Sequence, residues 1–190
     1  MKKLIAYFWI LFYTIRYRVK LGLISSVAQM ESTWNPNETT HPDGKSYGLL
    51  GINFSGGIHR DYNKKNGADL KPQQIKDSIR LQVLLSSWYL GKEIPRMLEY
   101  YKIPENLLTI IGSYNAGIGR VKKFNANPIT NPLPDRTLVY HTKVQSQIFK
   151  RKINQILAYM SIFVVLFLPV IGIKLSTNPI SFKKLKRKFS

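Results

Sequence analysis

Glu31 closes a helix-patterned stretch and is followed by Ser32-Thr33-Trp34-Asn35-Pro36. Upstream, Leu23, Val27 and Met30 recur at helical spacing, as do Ile24 and Ala28, so Glu31 stands at the edge of the apolar face, four residues after Val27 and three after Ala28. Pro36 disfavours helical geometry at Asn35. The helix is therefore predicted to end near Trp34, with Glu31 in its last turn. Removal from water and the negative end of the helix dipole both disfavour a bare carboxylate there, which is the condition a proton donor needs. A glutamate late in a helix is ordinarily a solvated surface residue. What raises Glu31 above that reading is the rest of the chain.

Two further segments follow in order: Ser46-Tyr47-Gly48-Leu49-Leu50-Gly51-Ile52, and Ser113-Tyr114-Asn115-Ala116-Gly117 with Gly119 and Val121 after it. A fourth, looser segment is Leu133-Pro134-Asp135-Arg136-Thr137, followed by Tyr140 and Val144. Together with Glu31-Ser32 and Asn35-Pro36, this ordered set resembles the lytic transglycosylases, lysozyme-like enzymes that cut bacterial peptidoglycan. The resemblance covers residues 20 to 148 and implies a mainly α, lysozyme-like domain. It departs from the family pattern at Gly51, where the family usually has a glutamine. The hydroxyl that commonly follows the first motif maps to Thr40 or to Ser46, and Asp135-Arg136-Thr137 stands where a Glu-Thr pair is common.

A glycosidic bond breaks through an oxocarbenium-like state, so the leaving oxygen needs a proton and the cationic ring needs electron-rich neighbours. The resemblance implies that Glu31 first protonates the oxygen between N-acetylmuramic acid and N-acetylglucosamine, then takes the proton of the sugar's own 6-hydroxyl, leaving a 1,6-anhydromuramoyl end. It implies that Tyr114 bonds or orients Glu31. Ser46, the backbone around Gly48 and Leu49, Asn115, Ala116 and Tyr140 are the expected substrate contacts. One residue alternating between acid and base requires no metal or organic cofactor, and none is expected. A hydrolase differs by needing a second carboxylate to activate water. Asp43, in the polar loop His41-Pro42-Asp43-Gly44-Lys45, and Asp61 are the candidates. A tethered glycan-binding protein without turnover is the other alternative, motivated by Gly51.

Composition bounds the setting. The chain has 190 residues, 44% of them apolar, enough for the core of one domain. It has no cysteine, which excludes disulfides, cysteine-metal sites and a lipoprotein anchor. His41, His59 and His141 show no paired metal spacing. With 29 Lys and Arg against 10 Asp and Glu, the net charge of +19 calls for polyanionic surroundings. Lipid and cell-wall polymers satisfy that as well as nucleic acid does, and an apolar segment fits poorly with a nucleic-acid module, so no nucleic-acid partner is expected.

That segment runs uncharged from Ile156 to Ile173, long enough to span a bilayer, and is followed by Lys174 and a cluster at Lys183, Lys184, Lys186, Arg187 and Lys188. At the other end, Lys2 and Lys3 precede the apolar run Leu4 to Ile15, a signal-like or anchor-like pattern too short for a full span. Ser26-Val27-Ala28 looks like a cleavage site, yet cutting there removes the helix that presents Glu31, so the segment is expected to stay. The expected organisation is thus 1–19 signal- or anchor-like, 20–152 catalytic, 153–174 transmembrane and 175–190 a basic tail. The domain is expected to face the periplasm and cell wall from the bacterial inner membrane.

The elements that must position Glu31 are mostly helical: Pro72 to Leu90 with Gly91 as its cap, Glu105 to Tyr114, and Thr137 to Lys152. Strand content is expected to be at most a short hairpin near Tyr47 to Phe54. Expected partners are peptidoglycan strands and membrane lipid. The sequence leaves open whether such an enzyme serves the host wall, a secretion or conjugation apparatus, or a phage.

Overall fold

The helix that carries Glu31, α2 (Leu23–Ser32), buries Leu23, Ile24, Val27 and Ala28 and stops two residues short of Trp34. The reason is a backbone reversal that the apolar pattern does not encode. Thr33 and Trp34 both adopt left-handed conformations, with φ of 51° and 70°. Their N–H groups return to the Gln29 and Ala28 carbonyls at 3.3 Å each, which satisfies the open end of the helix. Such geometry costs a residue with a Cβ about 1–2 kcal/mol. It is held by the buried Trp34 ring, stacked on Tyr7 at 4.4 Å, with Lys3 Nζ at 5.4 Å and Arg151 Cζ at 6.0 Å from its centroid.

The structure is a computed structural model that describes residues 2–39 and 45–177, leaving out the side chains of residues 155, 158 and 162–177. Thr40, Asp43 and the basic cluster at 183–188 lie outside the described residues. The chain divides into two units, residues 1–155 and 156–190.

In the first unit, Tyr7 belongs to α1 (Lys2–Tyr17), which the sequence presents as a signal- or anchor-like segment. Here Ala6, Ile10, Tyr13, Thr14 and Tyr17 are buried, and the helix packs along α5 (Ile79–Trp88). Its far end comes so close to Gly91 that a Cβ there would lie 2.3 Å from the Tyr17 carbonyl oxygen. Gly91, expected as a helix cap, is instead inside a π-helical turn (Tyr89–Glu93) that follows α5, and its lack of a side chain admits α1.

The remaining elements are β1 (Ser46–Tyr47) antiparallel to β2 (Ile52–Asn53), α3 (Ile58–Asn66), α4 (Pro72–Lys76), α6 (Ile94–Tyr100), α7 (Leu107–Ala116), α8 (Ile118–Ala126) and α9 (Asp135–Thr177). The single helix predicted from Pro72 to Leu90 is broken between α4 and α5. Ser78 leaves the helical region there, and its hydroxyl accepts the Leu81 N–H at 3.3 Å as an N-cap. Asn106 caps α7 in the same way through the Thr109 N–H at 3.0 Å, so this helix starts two residues later than predicted. Leu49, Leu50, Leu85, Ile94, Leu98 and Ile111 are fully buried around α5 and form the centre of the core.

In the second unit, residues 156–177 are helical as part of α9. The transmembrane helix expected at 153–174 is not found: among the described residues no helix is long and apolar enough to cross a membrane. Most side chains of that stretch lie outside the described residues.

Candidate functional site

Glu31 lines a cleft of about 830 Å³ together with Ser46, Gly51, Tyr114, Asn115 and Tyr140. Residues far apart in sequence therefore meet in one cleft. Lys45, Asp61, Tyr89 and Arg136 also face it, so the cleft contains a second carboxylate and two cations.

The hydroxyl of Tyr140, on α9, donates to Glu31 Oε1 at 2.7 Å across 109 positions of sequence. Burial, the Glu31 charge and the neighbouring Tyr114 push the Tyr140 phenol well above its ordinary value, so it remains an O–H donor through the neutral range. The other carboxylate oxygen, Oε2, lies against Gly51. With φ at +60°, Gly51 occupies a left-handed turn, and a Cβ built on it would stand 2.3 Å from Oε2 and 2.6 Å from Cδ. The absent side chain is the space in which the Glu31 carboxyl sits.

Tyr114 was expected to bond or orient Glu31. Its hydroxyl instead donates to the Leu50 carbonyl oxygen and lies 3.4 Å from Ser86 Oγ. It thus fixes the turn that carries Gly51, and through it the room left for Oε2. Burial and the Glu31 charge raise the Tyr114 phenol strongly as well. Tyr89, in the π-helical turn, has its ring centroid 6.2 Å from that of Tyr114, and burial pushes its phenol up to about 12.

Asn115 Oδ1 accepts from the buried Thr137 hydroxyl at 2.8 Å, which leaves the amide N–H groups of this exposed side chain for a ligand. Ala116 lines the cleft beside it. Ser113, also in the lining, is fully buried, and its hydroxyl has no hydrogen-bond partner among the described residues.

Gly48 and Leu49 are not brought to the cleft. The Leu49 N–H donates to Gln82 Oε1 at 2.8 Å and its carbonyl accepts from Ser32 Oγ at 2.9 Å, while the Gly48 N–H donates to the Glu38 carbonyl at 2.8 Å. Those backbone groups hold the fold together. The organiser is Gln82, which sequence reasoning missed: it is 1% exposed on α5, and its Nε2 donates to the carbonyls of Pro36 and Lys76 at 3.0 Å each. One amide thereby joins the exit from α2, the second motif and the end of α4. The one available signal was a glutamine inside the apolar run Leu81 to Leu85.

Among the described residues no group of three His, Cys, Asp or Glu side chains is placed to hold a metal ion. Chemically the arrangement offers one carboxyl lining a cleft, with one oxygen held by a neutral phenol and the other beside Gly51, and an amide donor nearby.

A family model described as the transglycosylase SLT domain matches residues 9–131. The match contains Glu31, the turn at Gly51 and the Tyr114-Asn115 pair, and it ends before Thr137 and Tyr140. Comparison with curated proteins and with solved structures gave no match.

Proposed function

The chain belongs to the transglycosylase SLT domain family, glycan-cleaving lyases that act on peptidoglycan, and from that premise we propose that Glu31 alone supplies the proton chemistry. The observation that carries this reading is the Glu31 carboxyl in the cleft with Oε1 held by Tyr140 and Oε2 beside Gly51. Protonated Glu31 gives its proton to the oxygen linking N-acetylmuramic acid to N-acetylglucosamine as the bond from that oxygen to C1 breaks. The 6-hydroxyl oxygen of the muramic acid then bonds to C1 and its proton passes to the Glu31 carboxylate, closing a 1,6-anhydro ring. Tyr140 positions the carboxyl and Tyr114 positions the Gly51 turn. Asn115 donates to a carbonyl of the substrate, for which an acetamido group is the fitting class, and Ser46 and Ala116 border the same cleft.

The room that Gly51 leaves for Glu31 argues against reading it as the mark of a degenerate site. Asp61 in the same cleft supports a second reading, a muramidase in which this carboxylate activates water. The Glu31→Gln protein should release no fragments from purified sacculi while keeping the wild-type melting temperature, whereas Asp61→Asn should remain active. Release by Glu31→Gln at the wild-type rate defeats the proposal, and loss of release in Asp61→Asn turns it to hydrolysis.

We further propose that the uncharged run from Ile156 to Ile173 tethers the enzyme to the bacterial inner membrane, with the cleft on the cell-wall side and the basic tail inside. The N-terminal segment is retained, because α1 fills the groove along α5 and supports Trp34. Such a tethered enzyme fits wall remodelling, a secretion or conjugation apparatus, or a phage.

A further inference from the structure

Helix α1 has two apolar faces, and the fold uses one. Ala6, Ile10, Tyr13, Thr14 and Tyr17 are buried, while Leu4, Ile5, Phe8, Phe12 and Ile15 are exposed by 62, 42, 43, 45 and 70%. At helical periodicity the exposed five fall within about 100° of arc, one continuous stripe along the helix. A large apolar stripe in water needs an occupant.

The charges around it say which. Residues 1–30 contain no acid at all, and Lys2, Lys3, Arg16, Arg18 and Lys20 bracket the stripe at both ends. A second copy of the chain meeting this surface face to face would bring like charges together, since a two-fold interface joins a patch to itself. An anionic lipid surface attracts both parts, its headgroups the cations and its acyl boundary the aromatic and aliphatic side chains. At 16 residues, α1 is about 24 Å long, less than the ~30 Å of a bilayer's hydrocarbon core, so lying flat suits it and crossing does not. Its N-terminal end is also fixed in place. Lys3 and Tyr7 meet Arg151 at the Trp34 ring, and Arg151 precedes the uncharged run at Ile156 by five residues in sequence.

We propose that the outer face of α1 docks on anionic bilayers, lying in the headgroup plane with Leu4, Phe8, Phe12 and Ile15 in the acyl boundary. This surface is separate from the cleft and does not depend on how the cleft works. Because the chain has no cysteine, single-cysteine variants Leu4→Cys and Ile15→Cys, with Ile129→Cys as an exposed control elsewhere in the domain (90% exposed), can each carry an environment-sensitive fluorophore. The full chain is reconstituted in phosphatidylethanolamine vesicles containing phosphatidylglycerol, with a lipid-borne quencher. The expected result is a blue shift and quenching at positions 4 and 15 and neither at 129, with native circular dichroism in all three. Labels at 4 and 15 that stay as water-exposed as the one at 129 overturn the proposal. So does a blue shift that grows with protein concentration in lipid-free detergent, which means that a second copy covers the stripe.

Discussion

Restoring the family's usual glutamine at position 51 should damage this enzyme. A Cβ at Gly51 would meet Glu31 Oε2 at 2.3 Å and Cδ at 2.6 Å, against an ordinary optimum of about 3.5 Å between non-bonded heavy atoms, so the carboxyl must retreat by roughly 1 Å. The retreat itself is cheap in stability, because the obstacle is the far end of a side chain. The left-handed backbone at φ +60° adds about 1–2 kcal/mol, a loss of roughly 2–8 °C in melting temperature for a chain of this size. In activity the same displacement is severe, since a misplacement of about 1 Å at a reacting group costs on the order of 100-fold. Gly51→Ala and Gly51→Gln should therefore both show a small thermal shift and a kcat/KM on solubilised glycan strands reduced about 100-fold. If Gly51→Gln cleaves as fast as wild type or faster, Glu31 does not rest against this turn when it reacts, and the reasoning is refuted.

Tyr140→Phe removes the hydrogen bond to Glu31 Oε1, worth about 0.5–1.5 kcal/mol, and should lower kcat/KM by roughly 2- to 10-fold with a melting temperature lower by about 1–6 °C; an unaltered rate would mean that the 2.7 Å contact does not position the acid. Gln82→Leu leaves the Leu49 N–H and two carbonyls without their buried partner, so urea unfolding should register a loss of several kcal/mol at about 1–3 kcal/mol per orphaned group. Alkaline titration follows from the tyrosines. Tyr62, on α3, and Tyr89 are raised to about 12 by burial, and burial together with the Glu31 charge raises Tyr114 and Tyr140 strongly as well. Their neutral forms are favoured in the fold, so the stability they confer is fully present below about pH 10, where an unfolded tyrosine ionises, and is lost as pH rises through the folded values. The melting temperature should fall as pH rises above about 10, with the phenolate absorbance of these four among the 11 tyrosines appearing above the pH at which an unfolded tyrosine ionises.

Local chemistry was legible in the sequence where it depended on spacing along one helix. Glu31 at the edge of an apolar face, the order of the Gly51 and Tyr114 segments, and the helical character of the domain follow from period and punctuation. What sits across from a residue does not. Gly51 reads as a missing sugar contact until the Glu31 carboxyl is seen in its place, and Tyr140 reaches Glu31 from 109 positions away. Apolar periodicity also runs unbroken through Ile75, Ile79 and Val83, which concealed the cap at Ser78. The first helix misleads for a physical reason: a segment apolar on both faces looks like an anchor whether protein or lipid covers it, and α5 covers half.

In the proposed reaction one carboxyl, Glu31, cuts the glycan without water. Digesting purified sacculi in water enriched in the heavy oxygen isotope and weighing the released muropeptides tests it most directly. The expected products are one water lighter than hydrolytic ones and free of solvent oxygen; muropeptides with reducing ends carrying the heavy isotope would show that water, not the 6-hydroxyl, takes C1.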